Sequence, residues 1–326
     1  GDNKYIKGNV HSVNYFGGNI LPAAMTHYIH AEAVIKALDK RGINTDVKMV
    51  LWGAQGPDIM YFHRAMPYQL GKSLRRVGSM LHKSGPERLI STMAELCRDE
   101  YSDVVSYAYG FLCHYALDRT AHPYVYAMQE KYAEKEKIKY NHSYIHNLIE
   151  HNIDIIILKD AKSLRPADVN IDNVLSTDNN IIKRQSELLN AALSAIMPKR
   201  KIKTGKIEQA FYDMHRNTKT MIDHGVKKRF VLFLEKILHT GPVLSSLIEG
   251  EESDGMMDYM NLSKESWKNP FDKVGRSYND NFYEVLDRAV SDAVNLILKF
   301  IEYKGGRFDG SITDNITFNR GITANQ

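Results

Sequence analysis

Cysteine is nearly absent from this chain: Cys97 and Cys113 are the only two in 326 residues. A disulfide framework is thereby excluded, and two buried free thiols are expected. Long apolar runs are absent as well. The strongest, "FVLFLEKIL" at 230–238, is short and carries charge within it, far from the roughly 20 residues that span a bilayer, so membrane contact is expected to be at most peripheral. Nor is there a large excess of one charge: 43 Lys and Arg against 39 Asp and Glu give a net +4. The densest basic cluster, "MPKRKIKTGK" at 197–206, reads as a solvated loop, and no stable nucleic-acid partner is expected from so mild a balance. The opening "GDNKYIKGNVHSVNYFGGN" lacks the apolar centre of a signal peptide, so a cytoplasmic location is expected, or a secreted one if a leader has been removed. Alternation of strand type, internal repeats and low-complexity segments are also missing.

What is present is helical periodicity. Hydrophobic residues at 43% and charged residues at 25% are ordinary values for a folded globular chain. Apolar positions predict a helix from Pro22 to about Leu38, with Thr26 as an N-cap and Gly42 as a stop. "LWGAQGPDIMYF" demands a loop before Asp58. Further helices are expected over 87–98, 101–121, 141–158, 181–196, 205–239 and 278–303. The second of these is expected to end at His122, because the residue before a proline is pushed away from helical geometry. The last shows the clearest apolar stripe, Phe282, Leu286, Ala289, Ala293, Ile297 and Phe300. The fold class is therefore all-α.

Histidine is unevenly placed, with ten of thirteen in residues 1–151. In "GFLCHYALDRTAHPYV", His114, Asp118 and His122 stand four apart, and residues at that spacing share one face of a helix. A second ladder, His142, His146, Glu150 and Asp154, follows on the next predicted helix. A single histidine among aromatic residues is ordinarily a core histidine with a satisfied hydrogen bond, and Asp118 alone would pair with Arg119 or cap a turn. Two successive ladders in an apolar frame are harder to bury without a cation, since each unpaired ion costs several kcal/mol. Zinc takes imidazole nitrogen and carboxylate oxygen together, and catalytic zinc sites keep one coordination position open.

In their order, "LPAAMTHY", "GAQGPDIMYF", "GSMLH", "GFLCHYALDRTAHPYV" and "HSYIHNLIEHNID" resemble the zinc-dependent phospholipase C family of bacteria, whose fold is shared with single-strand-specific fungal nucleases. The resemblance is strong over about 20–160. A weaker similarity at "DYMNLSKESWKNPF" extends it to a helical remainder over 161–326, and so to one domain over 1–326. It implies a multi-helix orthogonal bundle holding two or three zinc ions. By position, Asp58, His82, His114 and Asp118 would bind one ion, His122, His146 and Glu150 a second, and His27 with Asp118 a third. The family's N-terminal Trp ligand has no counterpart before Trp52, so the site beside His27 is expected to be empty, weak, or completed by another group such as His11 or a water.

The activity implied is hydrolysis of a phospholipid phosphodiester, or another phosphoester, by metal-activated water, with Asp58 as ligand and general base. Nuclease or nucleotidase action in the same fold, and a metal-binding protein without turnover, are the alternatives. Tyr115, Tyr124 and Asp154 are candidates to orient metal histidines. Tyr61, Phe62 and Tyr68 are candidates for a wall beside a headgroup or base. His63 and Arg64 would either line the cleft or form a solvated loop pair. His30 is expected at the surface, His142 at a helix start and His151 facing away.

Overall fold

The computed structural model describes residues 24–66, 68–99, 102–135, 142–221 and 257–324. In chain order its helices are α1 (Ala24–Asp39), α2 (Val47–Gly53), α3 (Ile59–Phe62), α4 (Arg75–Lys83), α5 (Glu87–Leu96) and α6 (Ser102–Lys135). They continue as α7 (His142–Lys162), α8 (Ile171–Val174), α9 (Asn179–Ile196), α10 (Thr204–Met221) and α11 (Phe282–Lys304). The described sheet is one antiparallel pair, β1 (Trp267–Lys268) with β2 (Ser277–Tyr278). The all-α expectation holds. No described helix is long and apolar enough to cross a membrane. The final part of the predicted 205–239 helix and the run at 230–238 lie outside the described residues.

Helix α6 is buried nearly all round from Val104 to Asp118, the condition of a helix at the centre of a fold. Helices α1, α2, α7 and α11 pack on it. Helix α2, in a stretch read only as preceding a loop, starts at Asp46, whose carboxylate accepts the Met49 N–H. It crosses α6 at two glycines: a Cβ on Gly53 would stand 2.1 Å from the Tyr107 carbonyl, and one on Gly110 would stand 2.1 Å from the Val50 carbonyl. Only residues without side chains permit that approach. At α11, Asn281 and Glu284 form a reciprocal cap, with Glu284 N–H donating to Asn281 Oδ1 at 3.0 Å and Asn281 N–H to Glu284 Oε2 at 2.9 Å.

The predicted break at His122 does not occur: α6 runs through Pro123 to Lys135. Proline removes one hydrogen bond and crowds the carbonyl four residues back, a cost of about 3 kcal/mol in an isolated helix. Here the surroundings hold both halves in line. Arg119 makes a forked ion pair with Asp292 of α11, the Tyr115 hydroxyl donates to the Ile316 carbonyl at 2.7 Å, and the Tyr124 hydroxyl donates to the Tyr259 carbonyl at 2.7 Å. The backbone at Gly321 lies directly over the Arg119 carbonyl and the Pro123 ring. Arg119 therefore serves α11 and not Asp118. Cys97 and Cys113 are both buried, and no disulfide joins them.

Candidate metal centre

Four elements converge on α6. His27 comes from the first turn of α1, Asp58 from the 3-10 turn Gly56–Asp58, His82 from α4, His114, Asp118 and His122 from α6, and His146 and Glu150 from α7. All eight side chains are buried. Gly56, at φ +48°, lets the turn lie flat on the His114 ring, whose Cγ would be 2.3 Å from any Cβ added there. Asp58 reaches the centre from that turn.

Asp118 is common to much of the cluster. Its Oδ1 is 3.3 Å from His27 Nε2, and its Oδ2 is 3.2 Å from His114 Nε2, 3.6 Å from His82 Nε2 and 3.7 Å from His122 Nδ1. Asp58 Oδ1 is 3.0 Å from His82 Nε2. Across the centre, Glu150 Oε1 is 3.1 Å from His146 Nε2 and 3.5 Å from His122 Nε2. Three sets of donor atoms lie close enough to share an ion: His82, His114 and Asp118; His122, His146 and Glu150; and His27 with Asp58 and His114. His27 is thus drawn towards the first set, its ring stacked on His114 at 4.3 Å.

Neighbouring groups fix which nitrogen faces inward. His82 Nδ1 donates to the Gly78 carbonyl at 2.9 Å, His114 Nδ1 to the Ala54 carbonyl at 3.1 Å, and His146 Nδ1 to Gln129 Oε1 at 3.0 Å. Each then presents Nε2 to a carboxylate, which it can meet only as an imidazolium or through a cation between them. Tetrahedral zinc with ligands at about 2.1 Å sets its donor atoms about 3.4 Å apart. The observed separations of 3.0 to 3.7 Å bracket that value. His82 Nε2, His114 Nε2, His122 Nδ1, Asp58 Oδ1, Asp118 Oδ2 and Glu150 Oε2 are buried with no hydrogen-bond partner. The donor set fits zinc.

Electrostatics points the same way. Burial opposes charge on His114 and His122, but Asp118 beside them prevails, raising His114 and lifting His122 to about 9. Burial also opposes charge on the carboxylates, yet His114 and His122 hold Asp118 well below its usual range, and His146 and His122 bring Glu150 down to about 2. For His27, burial and the adjacent His114 outweigh Asp118 and lower its pKa. Zinc bound among these carboxylates and imidazoles would take the place of protons.

The family model of zinc dependent phospholipase C matches residues 26–197, a span that contains all eight of these side chains. The chain belongs to the zinc-dependent phospholipase C family. At the level of that family it is a zinc-dependent phosphoesterase. No curated protein and no solved structure matches the chain.

Several neighbouring residues do other work than the sequence suggested. Asp154 stands one turn beyond Glu150 and reaches the start of α1. It accepts Met25 N–H at 3.1 Å, Thr26 N–H at 2.8 Å and the Thr26 hydroxyl at 2.5 Å, capping α1 from α7. Thr26 thus lies inside the first turn and is not the N-cap. Tyr115 and Tyr124 bind backbone carbonyls of later segments. His30 is fully buried, because α1 packs against both α7 and α11, and burial lowers its pKa to about 3. His151 is buried too.

His63 is buried beneath the loop joining α3 to α4, where its Nδ1 accepts Leu74 N–H at 3.1 Å. Arg64 braces that loop, its N–H donating to Asp213 and its guanidinium to the Leu70 carbonyl. No aromatic wall forms: Phe62 is in the core, Tyr61 sets its hydroxyl 3.3 Å from His82 Nδ1, and Tyr68 is 71% exposed. His142 does open α7, and His11 lies outside the described residues. Gln129 was missed, although it stands seven residues beyond His122 and hence on the same face.

Proposed function

We propose that the protein hydrolyses a phospholipid phosphodiester, releasing diacylglycerol and a phosphorylated headgroup. One observation carries this reading: a single buried carboxylate, Asp118, stands among four imidazoles, beside a cavity of about 30 Å³ lined by Thr26, His27, Asp118, His122 and Glu150. Asp58, His82, His114 and Asp118 would hold one ion, His122, His146 and Glu150 a second, and His27 with Asp118 would hold a third. Zinc in such a cluster lowers the pKa of water and offsets charge on phosphate oxygens.

The residues of the chain provide the rest. Gly78, Ala54 and Gln129 keep three imidazoles turned with Nε2 inward. Asp58, held on a rigid turn, is the general base that takes a proton from the attacking water. The water oxygen joins phosphorus as the bond to the glycerol oxygen breaks, and that oxygen leaves with a proton as the diacylglycerol hydroxyl. Burial of every ligand keeps bulk water from competing for the donor atoms.

The test pairs a metal count with a substrate comparison. Zinc-loaded protein is expected to carry two or three ions per chain and to release phosphocholine from a soluble short-chain phosphatidylcholine, with loss on chelation and recovery on adding zinc. Faster cleavage of single-stranded DNA or of a nucleoside monophosphate would replace this reading with the nuclease one. Hydrolysis of none of the three would leave a metal-binding protein without turnover.

A further inference from the structure

Charge in this protein is segregated. Residues 63–86 carry five cations (Arg64, Lys72, Arg75, Arg76, Lys83) and no acid, and residues 197–207 carry five more (Lys199, Arg200, Lys201, Lys203, Lys206) and no acid. With a net charge of +4 for the whole chain, everything else is net negative by six. The fold brings these two segments together. Arg200 reaches the Met80 sulfur on α4, and beside it the Arg88 guanidinium contacts the Ala195 carbonyl. A cleft of about 240 Å³ between them is lined by Met80, Leu81, Ile196 and Met197, among others.

The same face exposes large apolar side chains. Leu70 is 84% exposed, Tyr68 71% and Met80 37%. The loop bearing Tyr68 and Leu70 is built to present them. Buried Asp213 on α10 accepts Arg64 N–H at 2.9 Å and the Gln69 amide at 2.8 Å, while Arg64 grips the Leu70 carbonyl from below. On α4, Arg76, Met80 and Lys83 form an exposed stripe, and the opposite side of that helix carries His82 to the metal centre. Of the adjoining acids, Asp213 is buried under the loop, Glu87 is occupied by Ser311, Ile312 and Thr313, and half-buried Glu208 begins the next stretch.

We infer that this face, formed by the loop between α3 and α4, the outer side of α4 and the basic turn at 197–206, docks on an anionic phospholipid bilayer. Cations around a projecting Tyr and Leu match a negative surface with an apolar interior, because Lys and Arg meet the headgroups while the two tips enter the interfacial layer. A nucleic acid would satisfy the cations but not an 84%-exposed leucine. This inference deepens the proposed function and rests on it only for the nature of the lipid. The docking face itself contains no metal ligand exposed to solvent.

The experiment separates binding from turnover. Full-length zinc-loaded protein is sedimented with vesicles of phosphatidylcholine alone or of phosphatidylcholine with phosphatidylserine, at low and high salt, and hydrolysis of soluble short-chain phosphatidylcholine is measured alongside. Binding is expected to need phosphatidylserine and to weaken with salt. Reversing Lys199, Arg200 and Lys201 to Glu should reduce it by at least about fivefold per charge removed. Leu70→Ser should lower it about tenfold, the cost of withdrawing one large apolar side chain. Both variants should keep the wild-type melting temperature and soluble-substrate hydrolysis, since these side chains are exposed.

Equal binding to neutral and anionic vesicles, no binding to either, or binding unaffected by both variants would overturn the inference. Tighter binding to single-stranded DNA than to anionic vesicles would also overturn it, assigning the face to nucleic acid. Loss of soluble-substrate hydrolysis in the wild type strikes the proposed function instead, and leaves the vesicle result to be read independently.

Discussion

The two carboxylate ladders share one spacing and end differently. On α6, His114, Asp118 and His122 all face the metal centre, and the residue that turns away, Arg119, binds Asp292 of α11. On α7, His146 and Glu150 face the centre, while Asp154 leaves it to cap α1. An interval of four residues fixes the side of a helix but not the partner, because the axis of the neighbouring helix decides what each successive turn meets. The α6 rail runs along the cluster, whereas the α7 rail passes from the cluster to the start of α1. That start carries His27, so one ladder both contributes two candidate ligands and places the helix of a third.

Asp118→Asn would break the α6 rail at the group common to its sets. It is expected to lower the metal count per chain and to cut phosphoester hydrolysis by about 10³-fold, the several kcal/mol that clustered metal supplies. Elemental analysis beside the activity assay checks it. Gly110→Ala strikes the same rail from behind, forcing a methyl into the Val50 carbonyl. Overpacking of backbone should cost about 3 kcal/mol, read as a shift in the urea midpoint.

Gln129→Leu sharpens the comparison by removing the α6 group that orients a ligand of α7. Zinc affinity should fall about 10–100-fold with the fold intact, as chelator competition would show. Asp154→Asn tests the divergent end of the α7 ladder: loss of the charged cap should cost about 1–2 kcal/mol of stability, and metal should be retained at His146 and Glu150.

The smallest effect is expected behind the rails, at Glu87. Burial alone would raise its pKa, but hydrogen bonds from Thr313, Ser311 and Ile312 lower it below 4.5. A depressed carboxylate stabilises the fold above its unfolded pKa and loses that contribution as pH falls through its folded one. Unfolding midpoints should therefore drop below about pH 4.5, and Glu87→Gln should flatten that slope while costing about 1 kcal/mol near neutrality.

Much of the helix inventory could be read from periodicity, and α9 and α11 start and stop within a few residues of expectation. Helix α6 was cut short at Pro123 because the rule for the residue before proline is local, whereas its continuation depends on Asp292, Ile316 and Tyr259 far along the chain. Position in the sequence likewise could not tell that His30 and His63 are enclosed, since the elements enclosing them come from elsewhere. The glycines of "GAQGPD" were legible as turn formers, but Gly53 is there for contact with Gly110 and Gly56 for contact with the His114 ring.

By itself, the sequence determined the all-α class and the two His/carboxylate ladders, because residue type and helical spacing are local properties, while the family resemblance carried by its motifs added His27, Asp58 and His82 as candidates to hold zinc. Tertiary structure alone decided which nitrogen each imidazole turns inward, that Asp118 stands among four of them, that Asp154 caps α1, and that two separate basic segments form one face. Each of these depends on distances between residues remote in the chain, and such distances are set by how helices cross.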